Sequence, residues 1–324
     1  GNPSSSHVYG KRASEAVEKA REQVSSLLGC HPDEVIFTSG GTEANNLAIF
    51  GVTEEMPKQQ RRIVTSTVEH PATARPCERL EQKGWNVKRL GVNTEGMILP
   101  EELITKSEET ALLTVMLANN ETGTIMPLRR LSDAAHEQGA LVHTDAAQAI
   151  GKIPVDVEEL GVDLLSVAGH KVYAPKGVGA LYVRRGTPIK PVLLGAAHEG
   201  GLRPGTENVP YIVGLGKACE IARTRLKEDS ERLIKLRELL FRLLHAKIPH
   251  LRLNGHPEER LPNTLNVSFP EVSGNALLAA APQVAASTGA ACHEEGESPS
   301  EVLQAMGIET DVALGAVRLE LGNT

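Results

Sequence analysis

Cysteine is scarce in this chain: Cys30, Cys77, Cys219 and Cys292 are its only four among 324 residues, and no two form a CxxC pair. That spacing argues against a zinc knuckle and a disulfide framework. It fits free thiols in a reducing cytoplasm. No apolar run reaches 18 residues, so no membrane-spanning helix is expected. The opening residues carry no signal-peptide pattern. Basic charge is also in deficit, with 34 Lys and Arg against 41 Asp and Glu and a net charge of −7. This argues against nucleic-acid binding as the main role. What is present is ordinary globular composition, 40% hydrophobic and 23% charged, long enough for a large core in two domains. The abrupt start "GNPSSSHVYG", and an end at "RLELGNT" with no closing helix, suggest that both ends are trimmed from a longer chain.

Short apolar runs alternate with amphipathic stretches over the first two-thirds. Residues 34–39, 62–67, 111–118, 140–146, 163–168 and 179–185 read as strands, rich in Val, Ile, Leu and Thr. Residues 11–28, 42–51, 71–83 and 128–138 read as helices between them. Near-continuous apolar strands alternating with helices predict an α/β layer with a buried, mainly parallel sheet. After "RPGTENVP" (203–210) the texture changes. Residues 211–246 predict one long helix or two, 264–269 a strand and 299–307 a short helix. The expected division is a large domain over 1–210 and a smaller α/β domain over 211–324.

Several stretches carry chemistry, each beside a plainer reading. "FTSGGTEANN" (37–46) sets Gly40, Gly41 and Thr42 between a strand and a helix. Free N–H groups there attract an anion, though a capped tight turn also explains them. In "HTDAAQA" (143–149), Asp145 ends an apolar strand, where open α/β sheets bind ligands. A buried carboxylate needs a cation such as a protonated pyridine nitrogen, and Gln148 can reach a neighbouring ring oxygen; a helix cap is the alternative. Lys171 follows a strand in "SVAGHKVYAPKG" (166–177) and, if desolvated, suits Schiff-base chemistry better than a surface loop does. His70 in "EHPA" can stack on a flat ring or simply be structural. Asn120 in "LANNETG" can bind a carboxylate or form an Asx turn. Arg318, in a predicted strand of the small domain, calls for a carboxylate, external or internal. The other histidines show no metal-ligand spacing, and no metal is expected.

Taken in order, "TSGGTEANN", "ANNETG", "HTDAAQ", "GHKVYAPKGVGALYVR", "RPGTEN" and "STGAAC" resemble one family across essentially the whole chain. It comprises the pyridoxal-phosphate enzymes, related to class V aminotransferases, that remove sulfur or selenium from cysteine or selenocysteine. The resemblance implies a fold type I architecture: a mainly parallel mixed sheet flanked by helices, plus a smaller C-terminal α/β domain. It assigns Lys171 as the Schiff-base lysine, Asp145 to the pyridine N–H⁺ and Gln148 to the ring hydroxyl oxygen. His70 stacks on the ring and assists proton transfer. Gly41 belongs to the phosphate loop. Thr42 and His170 hold the phosphate, with Thr206 contributed by the other subunit of a homodimer. Asn120 and Arg318 grip the substrate carboxylate, and Cys292 is the nucleophile that takes the sulfur as a persulfide for a protein acceptor.

Three departures from the family pattern stand out. Ala168 replaces a serine often found three residues before the lysine. Arg318 is followed by Leu319-Glu320-Leu321-Gly322 where Arg-x-Ser-x-Gly is usual, and Glu320 at i+2 can pair with Arg318. The strip that precedes "GNPSS" in desulfurases is absent. The short stretch before Cys292 and the non-serine at 168 resemble selenocysteine lyases, whereas general compactness resembles a bacterial desulfurase. Cysteine desulfurase is the expected activity and selenocysteine lyase the alternative. A non-catalytic homologue predicts loss of Lys171 or Asp145, and both are present. A metabolic aminotransferase of the same fold has no need of Cys292.

Overall fold

Apolar β-branched runs become a seven-stranded sheet in the computed structural model, which describes residues 1–57, 59–103, 110–289 and 298–322. Its strands are β1 (Val35–Thr38), β2 (Arg62–Ser66), β3 (Asn86–Leu90), β4 (Thr110–Met116), β5 (Leu141–Asp145), β6 (Leu164–Ala168) and β7 (Gly179–Val183). Across the sheet the order is β1-β7-β6-β5-β4-β2-β3. β7 runs antiparallel to both neighbours and every other pairing is parallel. The expected mainly parallel, mixed sheet therefore forms. β3 alone has no counterpart among the strands read from sequence. It lies at the edge, and Asn86, Lys88 and Arg89 interrupt its apolar pattern.

Helices cover both faces: α1 (Val8–Leu28), α2 (Gly41–Glu55), α3 (Pro71–Gln82), α4 (Leu128–His136), the single turn α5 (Val157–Leu160) and α6 (Val209–Lys247). Alternate strand residues point to opposite sides. Leu113 and Val115 join α1, α4 and α6 in one apolar cluster, while Ile63 and Leu112 join α2 and α3 in another. The sequence left one helix or two open after residue 211. One continuous helix of 39 residues is observed. Its first half packs on the Ala13, Val17, Ala20, Val24 stripe of α1. There a Cβ on Gly216 would lie 2.6 Å from Ala20 Cα, so only glycine allows that approach.

A second sheet of three antiparallel strands, β10-β9-β8, comprises β8 (Arg252–Asn254), β9 (Thr264–Ser268) and β10 (Ala316–Glu320). β8 is only three residues long and was not anticipated. The end of α6 covers this sheet through Leu240, Phe241 and Leu244. The small sheet is tied to the loop after β4, where Asn266 Nδ2 donates to the Glu121 carbonyl at 3.1 Å. That tie sets β10, and with it Arg318, above the carboxyl ends of the large sheet.

Candidate active site

The parallel strands β2, β4, β5 and β6 all end on the same edge, where the chain leaves each strand for a loop or helix. Ligands collect at such an edge because the loops diverge there. A cavity of about 250 Å³ lies at it, lined by Gly41, Thr42, His70, Asn120, Asp145, Gln148, His170, Lys171 and Arg318, with Asn45, Ala168 and small apolar side chains. Nine residues singled out in the sequence thus share one wall. Two do not. Thr206 is exposed and outside this wall, and Cys292 lies outside the described residues.

Asp145 is the last residue of β5 and is almost buried. Its Oδ1 accepts from the Ala147 N–H at 2.9 Å, and its Oδ2 accepts from Asn45 Nδ2 at 2.6 Å. Asn45 was not assigned a role from the sequence. It lay inside the quoted "TSGGTEANN", but its partner is a hundred positions away. Behind Asp145, His143 bridges Thr114 Oγ1 at 2.8 Å and Ser166 Oγ at 2.9 Å. Burial pushes His143 down to about 3, so it stays neutral and acts as a tether across β4, β5 and β6.

α2 begins at Gly41 without a side-chain cap, so its first N–H groups keep their donor capacity. A Cβ on Gly41 would lie 3.1 Å from Ala168 Cβ, which leaves the helix start pressed against the end of β6. Free N–H groups at a helix start are the kind that can hold an anion. Lys171 sits in the 3-10 turn Gly169–Val172 that follows β6, and it is half-buried.

His70 is the N-cap of α3, and its Nδ1 accepts from the Ala72 N–H at 3.1 Å. The neutral ring therefore carries its proton on Nε2 and is a donor; taking up a further proton requires the Ala72 bond to break. Burial holds its pKa below the ordinary histidine value; Asp145 opposes this and Lys171 adds to it. Burial likewise lowers His170, helped by Lys171 and Lys176. Glu69, beside His70, accepts at Oε1 from Ser66 Oγ at 2.6 Å and from the Met116 N–H at 3.1 Å. Burial, reinforced by Asp145, pushes Glu69 up to about 8 despite those bonds.

Gln148 is fixed by a residue the sequence reading passed over. Lys152 Nζ donates to Gln148 Oε1 at 2.8 Å, which leaves the Gln148 amide N–H₂ as the end available to a ligand oxygen. The i, i+4 spacing of Gln148 and Lys152 was the available signal. Burial lowers Lys152 to about 8. In the loop after β4, Asn119 makes the turn, with its Oδ1 accepting from the Glu121 and Thr122 N–H groups at 2.9 Å. Asn120 faces the cavity instead. Arg318 Nη1 donates to the Asn120 carbonyl at 2.8 Å, and Arg318 Nε stands 3.3 Å from Glu320 Oε1. The internal pair that the sequence allowed is therefore formed. The cavity offers an uncapped helix start, a buried carboxylate, an amine, an imidazole and a guanidinium around one space, a set of groups that suits a phosphorylated aromatic ring and an amino-acid substrate.

The sequence profile of the family described as aminotransferase class-V matches residues 1–323. The cysteine desulfurase IscS of Dictyoglomus turgidum is 45% identical over 99% of this chain and 82% of its own length. Among solved structures, a NifS-like protein superposes with a TM-score of 0.91 at 40% identity, covering 99% of this chain and 86% of that one. A structure described as SspA in complex with cysteine superposes with a TM-score of 0.86 at 33% identity, covering 99% and 90%.

Proposed function

Because the chain belongs to the class V aminotransferase family and to its cysteine desulfurase branch, we propose that it converts L-cysteine to L-alanine and takes the sulfur as a persulfide on Cys292. The observation that carries this reading is the cavity that gathers Lys171, Asp145, His70, Asn120 and Arg318 from five separate segments. Pyridoxal phosphate is the cofactor of this family, and the donor set fits it: uncapped N–H groups at Gly41 and Thr42 for the phosphate, and the Asn45-held Asp145 carboxylate for a ring N–H⁺.

When bound, pyridoxal phosphate supplies an electron sink for charge developing at the substrate Cα. The chain's own residues do the rest. Gly41, Thr42 and His170 would hold the phosphate, with Thr206 of a second subunit. Asp145 would pair with a ring N–H⁺, Gln148 would present its amide to a ring oxygen, and His70 would lie against the ring with its Nε2–H as a donor. Arg318 and Asn120 orient the α-carboxylate. Lys171 Nζ would hold the cofactor and would move the Cα proton. The Cys292 thiolate attacks the substrate sulfur: an S–S bond forms as the C–S bond breaks, and the released pair ends, after protonation, in alanine. Atoms and electrons balance without an external oxidant.

A homodimer belongs to the same proposal, supported by exposed large apolar residues such as Tyr9, Leu193 and Leu194, the last 89% accessible. So do a sulfur-accepting protein partner, the division near residue 210, and a cytoplasmic location, for which the free thiols Cys30, Cys77 and Cys219 speak. No described helix is long and apolar enough to cross a membrane.

The test is side-by-side turnover of L-cysteine and L-selenocysteine by the cofactor-loaded protein with a thiol reductant. Alanine and sulfide released in equal amounts from cysteine are expected. Turnover of selenocysteine alone would make the protein a selenocysteine lyase, and turnover of neither would sink both readings. Asp145→Asn is expected to lower kcat on the order of a hundredfold, since a preorganised charge is lost where charge develops. Retention of the visible cofactor band in that variant separates a catalytic loss from failed loading.

A further inference from the structure

Glu320 stands two residues beyond Arg318 on β10, so both side chains leave the same face of the strand. Their contact, Arg318 Nε to Glu320 Oε1 at 3.3 Å, occupies one edge of the guanidinium. A guanidinium has five N–H groups in a planar fork, and a carboxylate takes two of them side by side. With Nε facing Glu320, that side of the fork already carries an internal carboxylate. Nη1 has given one hydrogen to the Asn120 carbonyl. An incoming carboxylate therefore meets a like charge beside the guanidinium and fewer free N–H groups.

The Glu320 side chain is 36% accessible against 14% for Arg318, so Glu320 is the partner with room to move.

We infer that Glu320 is an internal competitor for Arg318, a specificity-determining residue that weakens the hold on a substrate α-carboxylate. This rests on the assignment of Arg318 to the substrate carboxylate made above. Glu320 does not line the cavity, so its influence falls on binding of the carboxylate and not on proton or sulfur transfer.

The experiment compares the loaded parent with Glu320→Gln, which removes the charge and keeps the shape, and with Glu320→Ser, which empties the position. KM and kcat for L-cysteine are measured together with calorimetric binding of L-alanine, which has the α-carboxylate, and of cysteamine, which lacks it. Both variants are expected to lower KM for L-cysteine and Kd for L-alanine by roughly three- to tenfold, the like-charge effect of a partly exposed carboxylate. The change appears in KM and not in kcat, leaves cysteamine binding as it was, and shrinks in 0.5 M salt, where exposed charges are screened. An unchanged or raised Kd for L-alanine in both variants overturns the inference, because Glu320 would then be steadying Arg318. An inactive parent whose alanine affinity still rises in Glu320→Gln would reject the desulfurase reading and keep this one.

Discussion

Replacing Lys171 by alanine is expected to abolish turnover of L-cysteine, with a loss of at least about a thousandfold in kcat. In the proposed mechanism the lysine acts twice: its Nζ anchors the cofactor, and the same nitrogen moves the Cα proton, a step for which a positioned group contributes about 10² to 10⁴. The fold does not depend on it: Lys171 is half-buried at the cavity wall in a 3-10 turn, and the packing beneath that turn comes from Val172. Far-ultraviolet circular dichroism and the melting temperature should therefore match the parent. Lys171→Arg is expected to be as inactive as the alanine variant. It keeps a positive charge in place, but a guanidinium does not give up its proton near neutral pH and cannot serve as a nucleophile. Borohydride should fix the cofactor to the parent and to neither variant. More than a tenth of parental kcat in Lys171→Ala would sink the assignment.

Cys292→Ala is expected to stop sulfide release from L-cysteine to below about a thousandth of the parent, because sulfur leaves only when a thiolate attacks it. Selenide release from L-selenocysteine should survive, since selenium is the better leaving group. The ratio of the two activities is thus the most discriminating measurement on this protein. The other thiols cannot stand in. Burial pushes Cys30, Cys77 and Cys219 up to about 12, so at pH 7 to 8 each stays protonated and poorly nucleophilic. Persulfide labelling, followed by peptide mapping, should fall on Cys292. Equal labelling of Cys77 would contradict the choice. Ser287, five residues before Cys292 in sequence, exchanges two backbone hydrogen bonds with the cavity-lining Arg318 at 2.7 and 3.2 Å.

These expectations draw unequally on sequence and structure. Six strands of the large sheet, the edge strand β1 among them, were legible because nearly every residue in them is buried, and burial leaves a mark in composition that needs no partner to be read. β3 left no such mark, because Asn86 and Arg89 in it are exposed and only Val87 and Leu90 are buried, and three-residue β8 is too short to show a period. The glycines at 40 and 41, the strand-end Asp145 and the loop Lys171 stood out because each residue type is unusual for its local setting.

What the sequence by itself determined is the chemistry on offer: an amine, a carboxylate, an imidazole, a guanidinium and a thiol, in a recognisable order. What only the tertiary structure decided is which of them are held, and by what. Asn45 reaches Asp145 across a separation of 100 residues, and Arg318 reaches the Asn120 carbonyl across 198. Such pairings leave no local period or composition, because they exist only where the parallel strands bring their carboxyl ends to one edge and the small sheet docks above it. The Arg318–Glu320 contact shows the same limit at short range. Spacing allowed the pair, but whether it forms depended on β10 presenting that face to the cavity, which its docking against the loop after β4 decides.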